Sequence, residues 1–379
     1  MKLQKICIIG DGLAGLTTAL VLSRLKIQID LYSKNITTKI KNDTRTTSIS
    51  KKNYDYLSKF LKKQEIKNFW PSKEIGLFYE KKNRFVKFLD FKENNLPLMF
   101  TFENFKLKKI LIKKIFKMKN IKIINKTIEE IDSNNSSIKL NKSFFYDLII
   151  LCVGNNSPMY SKLDLKRDIS KDRNEVALST NIKCASKFLK TQQFFLKEGP
   201  FAILPYKKNE ASIVWSVSRK FLEINKKNMR KIIINKLLDL FGNKCNFKVK
   251  DVKYFKIITN LKTQYSKKNI LILGDGLHTI HPLVGQGFNL YIRDLSKLEN
   301  LISKSLNLGL LINQSFVLQE FNESRKPENT LLGLGFDLTN IFFKDSKIFN
   351  PLKRVLLENA NNNIVRKISK VVSNEGLVF

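Results

Sequence analysis

The sequence predicts an α/β chain in which a doubly wound, Rossmann-like core carries an inserted β-rich domain and ends in helices. Three observations predict it. Gly10-Asp11-Gly12-Leu13-Ala14-Gly15 lies between a short apolar run and a helical one. A second glycine-punctuated stretch, from Gly274 through Gly285-Gln286-Gly287-Phe288-Asn289, follows another apolar run at residues 270–273. The segment between roughly 165 and 265 has the texture of sheet rather than of alternating strand and helix.

Residues 6–9 are fully apolar and read as a first strand, 16–25 as a helix and 27–32 as a second strand, a βαβ unit of the expected length. Between the first strand and the helix, Gly10, Gly12 and Gly15 permit a tight turn and let a pyrophosphate approach the backbone at a helix N-terminus. The free N–H groups there attract an anion. Spacing offers Asp30 as the acid for a ribose, whereas the end-of-strand position is Ser33. Residues 43–50, polar and rich in threonine, read as a loop. Residues 101–117 have helical apolar spacing through Leu107, Ile110, Leu111 and Ile115, and 148–153 form another buried strand that ends at Gly154. In the insertion, 201–205 and 211–217 read as strands with Asn209 in the turn between them. After Gly287 the chain is mostly helical, with a local break at Asn361-Asn362-Asn363.

Asp275, between two glycines after a strand, is placed to bond a ligand hydroxyl, and is otherwise a turn residue. His278 and His281 are the only histidines; Pro282 and the lack of a third ligand argue against a metal site. Two anion-binding turns at opposite ends of one chain point to a large, two-ended cofactor.

Lys and Arg number 69 against 33 Asp and Glu, a formal charge of +36 that would draw the chain to nucleic acid or to an anionic membrane. Lysine, asparagine, isoleucine and phenylalanine are all abundant, as an AT-rich genome produces whatever the function. The lysines are spread along the chain and no recognition motif accompanies them, which speaks against nucleic acid. The four cysteines form no Cys-x-x-Cys pair, so a reduced, cytoplasmic setting is expected. Residues 1–32 superficially resemble a signal peptide, but glycines interrupt the apolar run and no cleavage site follows. No window of eighteen uninterrupted apolar residues is present. Leu352, Val355, Leu356, Ile364, Ile368 and Val371, interspersed with Arg354, Arg366, Lys367 and Lys370, describe a helix that either packs on the body or docks on anionic lipid.

Together these segments resemble the class A FAD-dependent aromatic hydroxylases of the para-hydroxybenzoate-hydroxylase fold, and within them the ubiquinone-biosynthesis hydroxylases. The resemblance rests on the glycine turn at 10–15, on Asp43-x-Arg45 through Ser50, and on Glu103-Asn104-x-x-Leu107. It rests further on Gly199 to Pro205 with Trp215, on Asp275 through Asn289 with Asp294, and on Arg325-x-x-Glu328-Asn329. It covers the chain to about residue 345. It implies a Rossmann-like FAD-binding domain at 1–75, 98–165 and 266–335. It also implies a β-sheet substrate domain at 76–97 and 166–265, and a helical C-terminus at 336–379 that is a candidate membrane-docking element. By resemblance, Gly10, Gly12, Leu13, Ala14, Gly15, Ser33, Arg45, Asn104, Asp275, Gly285, Gln286, Gly287, Phe288 and Asn289 hold FAD. Pro282, Gln286 and Gly287 form the wall nearest the reaction, and no catalytic base is named.

The implied activity is hydroxylation of a polyprenyl-phenol intermediate of ubiquinone through a hydroperoxide at flavin C4a, with molecular oxygen and NAD(P)H as co-substrates. Peripheral contact with the inner face of a membrane, and membership of a quinone-biosynthesis complex, follow as expectations. A hydroxylase of a small soluble aromatic and a catalytically silent flavin-binding subunit stay open as alternatives. Two departures motivate the last of these: the family's middle Asp-Gly-Ser-Arg pattern reads Val153, Gly154, Ser157 and Tyr160 here, and Ser33 replaces the usual ribose acid.

Overall fold

The computed structural model describes residues 3–343 except 37–42, 82–83, 93–95, 129, 133–136, 140–142, 156, 164, 166–167, 186–187, 189, 243–245, 281–285 and 315, and only the backbone of 286, 314 and 334–343. The first sheet is built from largely apolar runs, and its core is shared with the helices and, through Ile131 and Ile138, with a three-stranded meander. Its elements are β1 (Gln4–Ile9), α1 (Leu13–Leu22), β2 (Ile27–Ser33), α2 (Asn104–Ile115), β3 (Ile121–Asn125), β4 (Leu148–Leu151), β5 (Ser266–Lys267) and β6 (Ile270–Ile272). The strand order is β5-β6-β4-β1-β2-β3. All neighbours are parallel except the short β5, which folds back on β6. Ile6 pairs with both Leu148 and Ile29, so β1 is the central strand, and every residue of β4 is buried. This order places the chain reversal beside β1, where an open α/β sheet forms its ligand crevice at the strands' C-terminal ends.

The second sheet has nine strands. Its central members are Ile169–Lys183, Glu210–Ser218 and Gly199–Lys207, extended through Thr191–Leu196 to the hairpin Glu74–Lys81 and Arg84–Lys92. Alternation along these strands sorts the faces. Leu178, Phe201, Ile203, Ile213 and Trp215 join a core closed by Met229, Ile233 and Leu237 of the helix Met229–Phe241. The opposite face carries Asn181, whose amide donates to the Thr44 carbonyl at 2.9 Å and so meets the nucleotide-binding body. At the far edge, Lys253–Leu261 pairs with His278–Thr279, so the second glycine-rich segment is itself a strand of this sheet.

Three expectations need correction. Residues 46–50 are a strand, not loop: Thr46–Ser50 pairs with Met99–Glu103, and Ser48, Ile49 and Ser50 are buried against that partner. The helix expected from residue 101 begins at Asn104, because Thr101 to Glu103 belong to the strand. The first helix begins at Leu13 rather than Leu16, directly after Gly12. In the C-terminal third, α3 (Gln286–Asn307) and α4 (Val317–Phe343) pack on each other, and α4 runs through the expected boundary at 335/336 without a break. The amphipathic segment at 352–372 lies outside the described residues.

Candidate flavin site

The site begins with the turn between β1 and α1. Gly10 has φ +120°, a conformation that disfavours a side chain, and a Cβ there would meet the Cys152 carbonyl oxygen at 2.3 Å. A Cβ on Gly15 would lie 1.9 Å from the Gly10 carbonyl oxygen, so Gly15 lets the helix close onto the turn. Gly12 is different: a Cβ there would meet nothing within 4 Å. It is the N-cap of α1 with no side-chain cap, which leaves the first-turn N–H groups of a buried helix facing open space. A glycine cradle open on one side, at the positive end of a helix, fits a pyrophosphate.

That space is a cavity of about 1420 Å³. It brings together Gly10, Gly12, Leu13, Ala14, Ser33, Arg45, Asn104, Asp275, Gly287 and Phe288 from distant parts of the sequence. Gly15 lies behind the turn and supports it. Ser33 lines the cavity while its hydroxyl accepts from the Asn35 N–H at 3.2 Å. Asp30, the alternative ribose acid, is buried away from the cavity, bonded to Lys5 at 2.8 Å and to the Tyr146 hydroxyl at 2.8 Å. Arg45 forms a close pair with Asp43 and stands 5.7 Å from the Phe255 ring centroid. The bonds from Asp43 raise the guanidinium's pKa further, so it stays charged. Asn104 accepts from the Thr47 hydroxyl at 2.7 Å. Pro282 and Gly285 lie outside the described residues, and of Gln286 only the backbone is described, at the start of α3.

Asn289 is fully used inside the protein. Its carboxamide accepts from the Ser50 N–H at 2.9 Å and from Asn53 Nδ2 at 2.7 Å, and donates to the Ser48 carbonyl at 2.9 Å. Its side chain therefore ties α3 to the strand Thr46–Ser50 and the helix after it, and does not line the cavity.

Asp275 is accessible through the cavity, yet protein surrounds it on the other sides. That desolvation raises its carboxyl pKa, and the charges of His278 and Arg45 oppose the rise. Gly274 beside it has φ +79° and abuts Ala14 of α1, so the two glycine turns touch.

Tyr291 and His278 are among the cavity residues that the sequence reading did not assign to the cofactor. Tyr291 is buried, donates to the Ala14 carbonyl at 2.7 Å and bonds Thr18 at 3.0 Å, clamping α3 onto the first turns of α1. His278 is buried, with Nε2 2.6 Å from Asp294, whose other oxygen accepts from Arg325 Nε at 2.7 Å and Asn329 Nδ2 at 3.0 Å. Burial alone would raise the Asp294 carboxyl, but Arg325 and His278 hold its pKa down. The partner that matters to His278 sits on α3, which no local pattern displays.

The match to known proteins follows this geometry. Residues 141–308 match the family described as FAD binding domain. The chain is 27% identical over 216 residues to ubiquinone biosynthesis monooxygenase COQ6, mitochondrial, of Dictyostelium discoideum, across 47% of this chain and 44% of that protein. It is 29% identical over 150 residues to 3-demethoxyubiquinol 3-hydroxylase of Escherichia coli (strain K12), across 39% of this chain and 38% of that protein. Each match takes in less than half of the relative. In fold it is similar to p-nitrophenol 4-monooxygenase PnpA from Pseudomonas putida DLL-E4, with a TM-score of 0.78 at 15% identity over 97% of this chain and 98% of that one. FAD is the cofactor such a domain takes, and the open Gly12 cradle fits it. The FAD binding domain match and the partial matches to ubiquinone-biosynthesis hydroxylases make this chain similar to those enzymes, and it shares the fold of a solved monooxygenase.

Proposed function

We propose that the chain is an FAD-dependent monooxygenase that hydroxylates the aromatic ring of a polyprenylated phenol on the route to a quinone, with NAD(P)H as the source of electrons. One observation carries the reading: a single cavity gathers both glycine turns, Asp275 and the start of α3. The relatives, whose names place them in ubiquinone synthesis, supply the substrate class.

When bound, FAD supplies the redox and oxygen-activating chemistry. The protein's own residues then have four tasks. The N-terminus of α1 at Gly12 holds the pyrophosphate, and Asp275 accepts hydrogen bonds from hydroxyls of the cofactor's sugar chain. The N-terminus of α3, at Gln286 and Gly287, stabilises negative charge on the ring system. Gly287, with the backbone beside it at the start of α3, forms the wall nearest the reacting carbon and keeps water out. Apolar Phe288 backs that wall, 5.2 Å from the Tyr291 ring centroid. No helix among the described residues is long and apolar enough to cross a membrane.

The test is the quinone-intermediate profile, by mass spectrometry, of a hydroxylase-deficient bacterium carrying the native gene or Asp275→Ala. Restored ubiquinone with the native form alone supports the reading, and the strain rescued identifies the ring position. Rescue by both forms favours a silent flavin-holding subunit, a reading that Val153 and Tyr160 in the middle motif keep open. No rescue with well-expressed, FAD-loaded protein points to another aromatic substrate.

A further inference from the structure

The turn that follows β4 is held by a charged cluster from the other body. Tyr160, in the turn Pro158–Leu163, donates its hydroxyl to the Gly154 carbonyl at 2.7 Å. The same hydroxyl lies flush on Gly276, where a Cβ would come within 1.9 Å of it. One phenol thus touches both walls of the cavity, the 153–159 wall and the Asp275 wall. Over its ring stands the Lys262 ammonium, 4.8 Å from the centroid. Lys262 is 7% exposed and pairs with Asp168 at 2.5 Å, while its backbone N–H donates to the Leu277 carbonyl at 3.0 Å. Two residues earlier, Asn260 Nδ2 donates to Asn155 Oδ1 at 2.9 Å. Residues 260 and 262 lie at the end of the strand Lys253–Leu261 of the second sheet.

A buried ammonium is costly unless paired, and cation–π contact with a desolvated ring adds to the pairing. Here the pair and the ring converge on two turns that carry Gly154 and Asp275 to the cavity surface, whereas Tyr160 and Lys262 do not line the cavity themselves. We propose that Lys262 and Tyr160 are positioning residues for FAD, a cation–π clamp by which the second sheet fixes both turns of the cofactor site. The proposal rests on the reading of the cavity as an FAD site. It has a structural consequence: displacing the end of the Lys253–Leu261 strand shifts Gly154 and Asp275 together.

The experiment measures the FAD dissociation constant of full-length apoprotein by quenching of flavin fluorescence. The forms compared are the native chain, Tyr160→Phe, Lys262→Met, Lys262→Arg and the Tyr160→Phe/Lys262→Met double variant. Urea midpoints of the apoproteins are recorded alongside. Losing the bond to Gly154 in Tyr160→Phe raises the constant about fivefold, and losing the cation raises it about tenfold. Lys262→Arg, which keeps the charge over the ring, stays within about threefold of native. The double variant falls short of the product of the singles, because both act through the same turns.

Constants within about twofold of native for both Tyr160→Phe and Lys262→Met overturn the clamp. So does a lowered urea midpoint with unchanged FAD affinity, since that marks a purely structural pair. Lys262→Arg as weak as Lys262→Met overturns the role of charge. If Lys262→Met does not fold, Tyr160→Phe and Lys262→Arg decide. A native chain that takes up no FAD removes the flavin reading itself, an outcome distinct from native binding with unaffected variants.

Discussion

Asn289 and Asp275 show how differently two polar residues of one motif are used. Replacing Asn289 with alanine strips the Ser50 N–H and the Ser48 carbonyl of partners in a buried setting. Leaving such groups unmade costs the desolvation of each, so Asn289→Ala is expected to lower stability by about 3 kcal/mol in urea titrations. Asp275 answers to pH instead. In the proposed site it accepts cofactor hydroxyls more strongly as a carboxylate than as an acid, and burial raises its pKa. FAD affinity is therefore expected to fall as pH drops through a value above the ordinary carboxylate range, and Asp275→Asn should abolish that dependence. Asp294 has the opposite shift. Its lowered pKa contributes stability that is present above the unfolded-state value of about 3.9 and lost as pH falls through the lower folded value. Asp294→Asn leaves His278 and Arg325 facing a neutral partner, and is expected to cost about 3 kcal/mol at neutral pH.

Among the elements, the turn between β1 and α1 makes the sharpest contrast. Gly12 and Gly15 belong to the same short motif, yet one opens on the cavity and the other is pressed against backbone. Gly12→Ala is expected to leave the apoprotein's urea midpoint close to native while weakening FAD at least tenfold, because the new methyl projects into the open space proposed for the phosphate. Gly15→Ala should damage both, since the Gly10 carbonyl cannot move without breaking the turn. This strand–turn–helix unit was legible in the sequence: its glycines and its continuous apolar strand are local signals. The strand Thr46–Ser50 was not. Its threonines and serines are polar, and pairing with Met99–Glu103, together with α3 on the other side, buries Ser48 and Ser50. Its status is settled by a partner about fifty residues away, beyond the reach of local pattern.

The same limit operates on the whole molecule. The fold class was readable because a parallel sheet covered on both faces writes itself as apolar runs between glycine turns. The cavity wall was readable only in part. His278 was visible as a histidine, but its role depends on Asp294 on α3 and Arg325 on α4, 16 and then 31 residues further on. Tyr160 looked like a missing arginine, whereas the structure places a lysine from the second sheet over its ring.

The short pairing of Asn260 with Thr279 and of Leu261 with His278 has a mechanical meaning. The segment that carries Asp275 toward the cavity continues, within a few residues, as an outer strand of the sheet opposite. The two bodies thus share a seam of main-chain hydrogen bonds rather than a linker. They cannot swing apart like the halves of a hinge without unzipping the cofactor wall. The Asp275 segment and the second sheet therefore travel as one piece, and any change in the cavity's shape has to come from local rearrangement at its rim.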